Sequence, residues 1–161
     1  MNFLLVLFHL KCFFKKVFLK MLYMKKITFG KNLQFRKNFS VMISKNGMIK
    51  IGENCFFNND CSISSFVGIE IGDNCLFGEN VKVYDNNHKF SLSFNINSQG
   101  YKLGNIKIGN NVWVGSSVII LKGVTIGDNC VIGAGSVIDR NIPNNSLVVA
   151  NRDVKIIRIE K

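Results

Sequence analysis

The sequence predicts an all-β protein wound as a parallel β-helix, and three aligned columns of residues predict it. Reading one residue in six gives Ile51, Phe57 and Ile63, then Ile71, Phe77 and Val83, then Ile108, Val114, Ile120, Ile126, Ile132 and Ile138, all apolar. The next position is often glycine, as at Gly52, Gly72, Gly78, Gly109, Gly115, Gly127 and Gly133. The fifth position is small or β-branched almost throughout: Cys55, Cys61, Val67, Cys75, Val81, Val112, Val118, Val124, Cys130, Ser136 and Ile142. A fixed short period of this kind is the mark of a solenoid.

Each hexad is expected to be one short strand and a corner, with three hexads closing a triangular coil. Ile108 and Ile126 are then 18 residues apart and stack on one face, one coil above the other. Successive strands pair in parallel with the aliphatic column inside. The fourth position is often asparagine (Asn54, Asn74, Asn80, Asn86, Asn111, Asn129 and Asn141), which tolerates the positive φ of a tight corner. An antiparallel sandwich would not require an 18-residue recurrence.

Residues 1–28 form an apolar and basic segment, expected as a helix. Its first uncharged run ends at Leu10, and lysines follow at 11, 15, 16 and 20. A spanning helix needs about 20 apolar residues, and a signal peptide would place its positive charge first. Two readings remain: a helix on the inner membrane face, or a helix covering the open strand edges at the end of the solenoid. Residues 29–143 are the β-helix, whose first coil is suggested by Phe29-Gly30, Phe35 and Val41 before a detour through Asn46-Gly47. Ile69 and Glu70 are two extra residues, expected as a corner bulge. Residues 89–107 fit no hexad and are expected as an inserted loop, the place where a solenoid carries function. Residues 144–161 form a C-terminal tail of strand or helix.

Composition narrows the chemistry. The 161 residues carry a formal net charge of +11 and a pI near 9.6, so a polyanionic partner is expected: a phosphorylated cofactor, an acidic glycan or an anionic membrane. Nucleic acid is not expected, because no binding motif is present and the basic residues do not alternate with stacking aromatics. Four of the five cysteines occupy the inward column and Cys12 lies outside it; with no CxxC pair, no metal site is expected. This cysteine usage suits a reducing cytoplasm.

Of the two histidines, His9 sits in the apolar leader, whereas His88 closes Val83-Tyr84-Asp85-Asn86-Asn87-His88, where the repeat gives way to the insertion. An imidazole there suits a general base acting on a substrate held by the loop. Asp85 is read either as orienting His88 or as a turn-forming aspartate.

The run Ile108-Gly-Asn-Asn-Val-Trp-Val-Gly-Ser-Ser-Val-Ile-Ile-Leu-Lys-Gly-Val-Thr-Ile-Gly-Asp-Asn-Cys-Val-Ile-Gly-Ala-Gly-Ser-Val-Ile138 resembles the hexapeptide-repeat acyltransferases. The likeness covers roughly residues 29 to 158 and is strongest to the maltose, galactoside and capsule or lipopolysaccharide O-acetyltransferases. It implies a left-handed β-helix, a homotrimer with active sites between subunits, and acetyl transfer from acetyl-CoA to a sugar hydroxyl. His88 matches the family's catalytic histidine and Asn58 an asparagine lining the acceptor pocket. Trp113 matches an aromatic near that histidine and, as the sixth residue of its hexad, points outward. Asp85 is grouped with these substrate-side residues. Ser116 and Ala134 match positions whose backbone amides meet the pantetheine arm, and Arg140 and Arg158 match basic positions near the CoA phosphates. Two departures stand out. The family's Gly-x-Pro-Ala-Lys tail is replaced by Ala150-Asn151-Arg152-Asp153-Val154-Lys155, and no acidic residue occurs at Ser65-Phe66.

The resemblance thus implies an O-acetyltransferase acting on a sugar or glycan in surface-polysaccharide synthesis, in the cytoplasm or at the inner face of the membrane. N-acetylation of an amino sugar and a non-catalytic β-helix binding module are the alternatives. A β-helical carbonic anhydrase would need three histidine ligands, and the chain has two histidines in all.

Overall fold

A computed structural model of the chain describes residues 3–91 and 95–150, those from 3 to 5 as backbone only. The left-handed parallel β-helix expected from the sequence is the architecture, with about 5 coils behind one N-terminal helix. Three parallel sheets wrap the core. The first contains Ile27–Phe29, Ile49–Ile51, Ile69–Ile71, Ile106–Ile108 and Thr125–Ile126. The second contains Gln34–Phe35, Phe56–Phe57, Leu76–Phe77, Trp113–Val114, Val131–Ile132 and Leu147–Val148. The third contains Ser40–Ile43, Ser62–Ser65, Lys82–Tyr84, Ile119–Ile120 and Val137–Ile138.

Register follows the hexad. Ile51 pairs with Ile71, Ile71 with Ile108, and Ile108 with Ile126, so like side chains stack inside. Phenylalanines continue the column in the early coils: Phe39 and Phe57 have ring centroids 4.9 Å apart, and Phe57 and Phe77 4.2 Å. The fourth-position asparagines 54, 74, 80, 111 and 129 adopt positive φ, joined by Asp60 and Ser117. Their amides also bond from coil to coil, as from Asn111 to Asn129 at 2.9 Å. Asn86 and Asn141 lie outside this left-handed set, because Asn86 belongs to a hairpin and the Asn141 side chain accepts from the Thr125 N–H.

The glycine column has a different cause from the asparagine column. Gly72 is not in the left-handed region; a Cβ there would sit 2.7 Å from the Gly109 carbonyl oxygen of the next coil. Close coil-to-coil approach excludes a side chain at this position.

Every departure from the strict hexad stacks at one corner, between the third and first sheets. Residues 44–48, 66–68, and 85–91 with 95–105 leave the coil there. Two expectations change as a result. Ile69 is not part of a bulge: it is a buried strand residue paired with Ile106, and it fills the inward column in place of half-exposed Val67. The insertion likewise ends before Ile106, which is 1% exposed and lies in the core strand Ile106–Ile108.

The helix Phe3–Tyr23 packs on the first coil, and the strand Ile27–Phe29 opens the solenoid just after it. The helix's own Cys12 and Leu19 are buried against that coil. An end coil presents carbonyls that no further coil can satisfy, and here side chains take them. Cys12 donates to Phe35 (3.2 Å), Lys16 to Leu33 (3.3 Å), Tyr23 to Val41 (3.0 Å) and Lys26 to Ser44 (3.2 Å), while Lys15 donates to Phe39. Partial burial lowers the Lys15 pKa from its ordinary value. The capping reading of this segment therefore describes its inner face.

All five cysteines are free and buried. Burial pushes the Cys61 thiol up, and a hydrogen bond with Cys55 together with burial pushes up that of Cys75. Such raised folded-state values stabilise the fold in full below the unfolded thiol pKa, and the contribution fades as pH rises past it. Native protein is expected to resist an aromatic disulfide reagent, with all five thiols reacting once denatured. Phe57→Ala, which opens a cavity between Phe39 and Phe77, is expected to cost about 3–5 kcal/mol in chemical denaturation.

Candidate active site

The insertion is a hairpin. Asn86–His88 pairs antiparallel with Tyr101–Leu103, placing His88 opposite Tyr101. Lys89 N–H donates to the Gly100 carbonyl at 3.0 Å, and Gly100, at φ 71, makes the turn into the returning strand. The His88 and Tyr101 rings lie 4.6 Å apart, and Tyr101 in turn packs against Phe66 at 4.6 Å, each pair tilted. Three aromatic side chains from two levels of the solenoid thus form a short ladder. The imidazole ends it, exposed to solvent.

Asp85 anchors the ladder. It is fully buried, and one carboxylate oxygen accepts from the Phe66 N–H (2.7 Å) and the Asn86 amide (3.3 Å). The other oxygen accepts from the Ser65 hydroxyl (2.9 Å), the Val67 N–H (2.9 Å) and the Gly68 N–H (2.8 Å). Three successive backbone N–H groups form an anion-binding nest of the kind that stabilises a buried charge. The Asp85 carbonyl also accepts from the Gly104 N–H at 3.0 Å, closing the hairpin root. Its placement among the substrate-binding residues is therefore corrected: a fully buried side chain cannot reach a ligand. Neither does it orient His88 directly. It holds the corner on which Phe66, and through it Tyr101, supports the imidazole.

The other candidates divide between different parts of the coil. Asn58, Ser116 and Ala134 lie together at the corner between the second and third sheets, in three coils. The Asn58 side chain accepts from the Asn59 N–H at 2.9 Å, and the Ser116 hydroxyl accepts from the Glu79 N–H at 3.2 Å. His88 leaves the opposite edge of the third sheet, whose strand Ser62–Ser65 spans about 13 Å at the usual rise. Trp113, 56% exposed, lies on the outer face of the second sheet, which is opposite the corner bearing His88. Arg140 is exposed beyond the last strand of the third sheet and pairs with Asp139 at 2.9 Å; their hydrogen bond, and then their opposite charges, lower the Asp139 pKa and raise that of Arg140. Arg158 lies outside the described residues. A single chain thus holds its imidazole far from Asn58 and Trp113.

The groove along the first sheet does not include His88. A cavity of about 470 Å³ runs along the first sheet, lined by Lys50, Glu70, Asp73 and Lys107. Among the described residues, no group of His, Cys, Asp and Glu could hold a metal ion, and no helix is long and apolar enough to cross a membrane.

Sequence reasoning missed Tyr101 and the support role of Phe66. Tyr101 meets His88 only through strand pairing across the insertion, and Phe66, from the coil below, meets Tyr101.

Known proteins resemble this chain in sequence and in fold. Residues 105–140 match the bacterial transferase hexapeptide (six repeats), and residues 48–84 match the hexapeptide repeat of succinyl-transferase. The chain is 42% identical over 118 residues to the galactoside O-acetyltransferase of Escherichia coli K12, an alignment covering 73% of this chain and 57% of that protein. It is 34% identical to a maltose O-acetyltransferase of Clostridium difficile 630, with 99% of this chain and 90% of that one covered at a TM-score of 0.64. A hexapeptide-repeat acetyltransferase of Vibrio cholerae O1 biovar eltor, crystallised with acetyl coenzyme A, superposes at a TM-score of 0.69 with 27% identity, over 83% of this chain and 69% of that one. The chain spans about half the length of the curated relatives it matches (54–57%).

Asp85→Asn puts an amide where the carboxylate meets three backbone N–H groups. It is expected to lower stability by about 2 kcal/mol and the thermal midpoint by about 5 °C, read by calorimetry.

Proposed function

Because the chain belongs to the hexapeptide-repeat acetyltransferases, we propose that it moves an acetyl group from acetyl-CoA to a sugar hydroxyl, with His88 as general base. The observation that carries this reading is the presentation of His88: the one large insertion delivers a solvent-facing imidazole, backed by Tyr101 and Phe66 and rooted by Asp85. The E. coli relative named for galactosides and the C. difficile relative named for maltose support a sugar acceptor.

His88 takes the proton from the acceptor hydroxyl as that oxygen attacks the thioester carbonyl carbon. The carbonyl becomes an oxyanion, met by a backbone N–H of residues 114–116. Collapse breaks the carbon–sulfur bond, and the imidazolium returns its proton to the departing CoA thiolate, leaving an acetyl ester and free CoA. Asn58 binds the acceptor. Ser116 and Ala134, stacked at one corner in adjacent coils, guide the pantetheine arm along the solenoid, and Arg140 and Arg158 serve the CoA phosphates.

This arrangement requires more than one copy. His88 and the residues Asn58 and Trp113 lie at separate edges and faces of the solenoid, so we place the site between adjacent subunits of a homotrimer. The outer face of the second sheet suits such an interface, because Leu76, Trp113 and Leu147 stand in register on it at 51%, 56% and 69% exposure. A glycan acceptor in surface-polysaccharide synthesis, acetylated in the cytoplasm, completes the reading.

The test is free-thiol release from acetyl-CoA with mono- and oligosaccharides carrying hydroxyl or amino acceptors. Wild type is expected to show acceptor-dependent release, and His88→Ala to lose about 100- to 10,000-fold of it while still binding CoA. Wild-type turnover by His88→Ala would refute the assignment. Release with amino sugars alone would redirect it to N-acetylation.

A further inference from the structure

Charge in this chain is segregated more sharply than its total suggests. Residues 1–52 contain eleven Lys and Arg and no Asp or Glu; the other 109 residues contain ten of each. The whole formal charge of +11 therefore resides in the N-terminal helix, the first coil and the strand Ile49–Ile51 that opens the second. Lys25, Lys31, Arg36, Lys37 and Lys45 are exposed in that first coil and the turn leading into it.

The helix at the same end has two faces. Cys12, Leu19 and Tyr23 lie against the coil, while Leu10, Phe13, Phe14, Phe18, Met21 and Leu22 are 50–74% exposed. At about 100° per residue, these six fall within one arc of about 180° on the side away from the coil. Lys11 stands at one margin of the arc and Lys20 at the other, both exposed. The helix Phe3–Tyr23 is about 31 Å long, so the apolar strip extends along most of its length.

We propose that this helix is an in-plane membrane anchor that seats the protein on an anionic lipid surface. The geometry matches what an interfacial helix requires: an apolar face to enter the acyl boundary, cations at its margins to meet headgroups, and a basic surround. The inner face is already fixed to the solenoid by four side-chain bonds to coil carbonyls, with a fifth from Lys26 in the turn that follows, so the outer face is presented rigidly. A second copy is a poor occupant. Apposing two such helices would bring lysine rims together in a region with no acidic residue. This inference stands apart from the acetyl-transfer reading and uses none of its residues.

Flotation of the full chain tests it, with equimolar phosphatidylglycerol–phosphatidylcholine vesicles against vesicles of phosphatidylcholine alone. Wild type is expected to float with the anionic vesicles, to bind the neutral ones about tenfold less, and to weaken as salt rises. The double substitution Phe14→Asp/Phe18→Asp is expected to reduce binding about tenfold or more, with an unchanged thermal midpoint because both side chains face outward. Lys11→Glu/Lys20→Glu should lose binding to anionic vesicles selectively. Wild type remaining unbound at low salt would overturn the proposal. So would a double-aspartate variant that floats as wild type, or one that instead dissociates an oligomer in sedimentation equilibrium, which would make the face a contact between copies.

Discussion

Coil-on-coil stacking is the constraint on which everything else depends. Each coil is held to the next by backbone ladders between equivalent residues, so what one coil does at a given position, its neighbours must permit. Gly72 is glycine because the Gly109 backbone lies directly above it. Asparagines take the left-handed corner because their amides then bond the asparagine of the next coil, as Asn54 does to Asn74 at 3.2 Å. Two of the three corners are locked in this way, by ladders such as Asn111–Asn129 at one and Asn38–Asp60 at the other. The third corner, between the third and first sheets, lacks such a ladder, and it is there that the chain departs from the hexad.

That freedom would be useless without an anchor, and Asp85 supplies it. A carboxylate taken out of water is costly unless its oxygens are met by donors. Here five donors converge on it, three of them consecutive backbone N–H groups of the coil beneath. The hairpin therefore starts from a fixed point, and the aromatic contacts from Phe66 through Tyr101 carry that order out to the His88 imidazole. A buried charge serves here to position an exposed ring.

The solenoid also differs along its axis and around it. Around the axis, the first sheet turns Lys50, Glu70 and Lys107 outward, whereas the second turns out Leu76, Trp113 and Leu147. Along it, the N-terminal end carries the positive charge and the apolar helix face, and the later coils are close to neutral. A repeat that is uniform inside can thus present different chemistry in each direction, because the outward positions of the hexad are free of the stacking constraint.

The sequence by itself determined the coil: the six-residue spacing of Ile108, Val114 and Ile120 implies strand length, pleat and inward face, since those are local properties repeated identically. It also located the insertion and singled out His88. It did not settle which residue fills the inward column after a corner insertion. Val67 keeps the count of six from Cys61, yet pairing with Ile106 puts Ile69 in the core. Only the tertiary structure decided that Asp85 is buried support, that Tyr101 and Phe66 back the imidazole, and that His88 stands apart from Asn58 and Trp113. Those facts arise from contacts between residues 13 to 35 positions apart in sequence, or from placement on different faces of the solenoid. A hexad count carries no information about them, because it records what repeats, and the site is built where the repeat is broken.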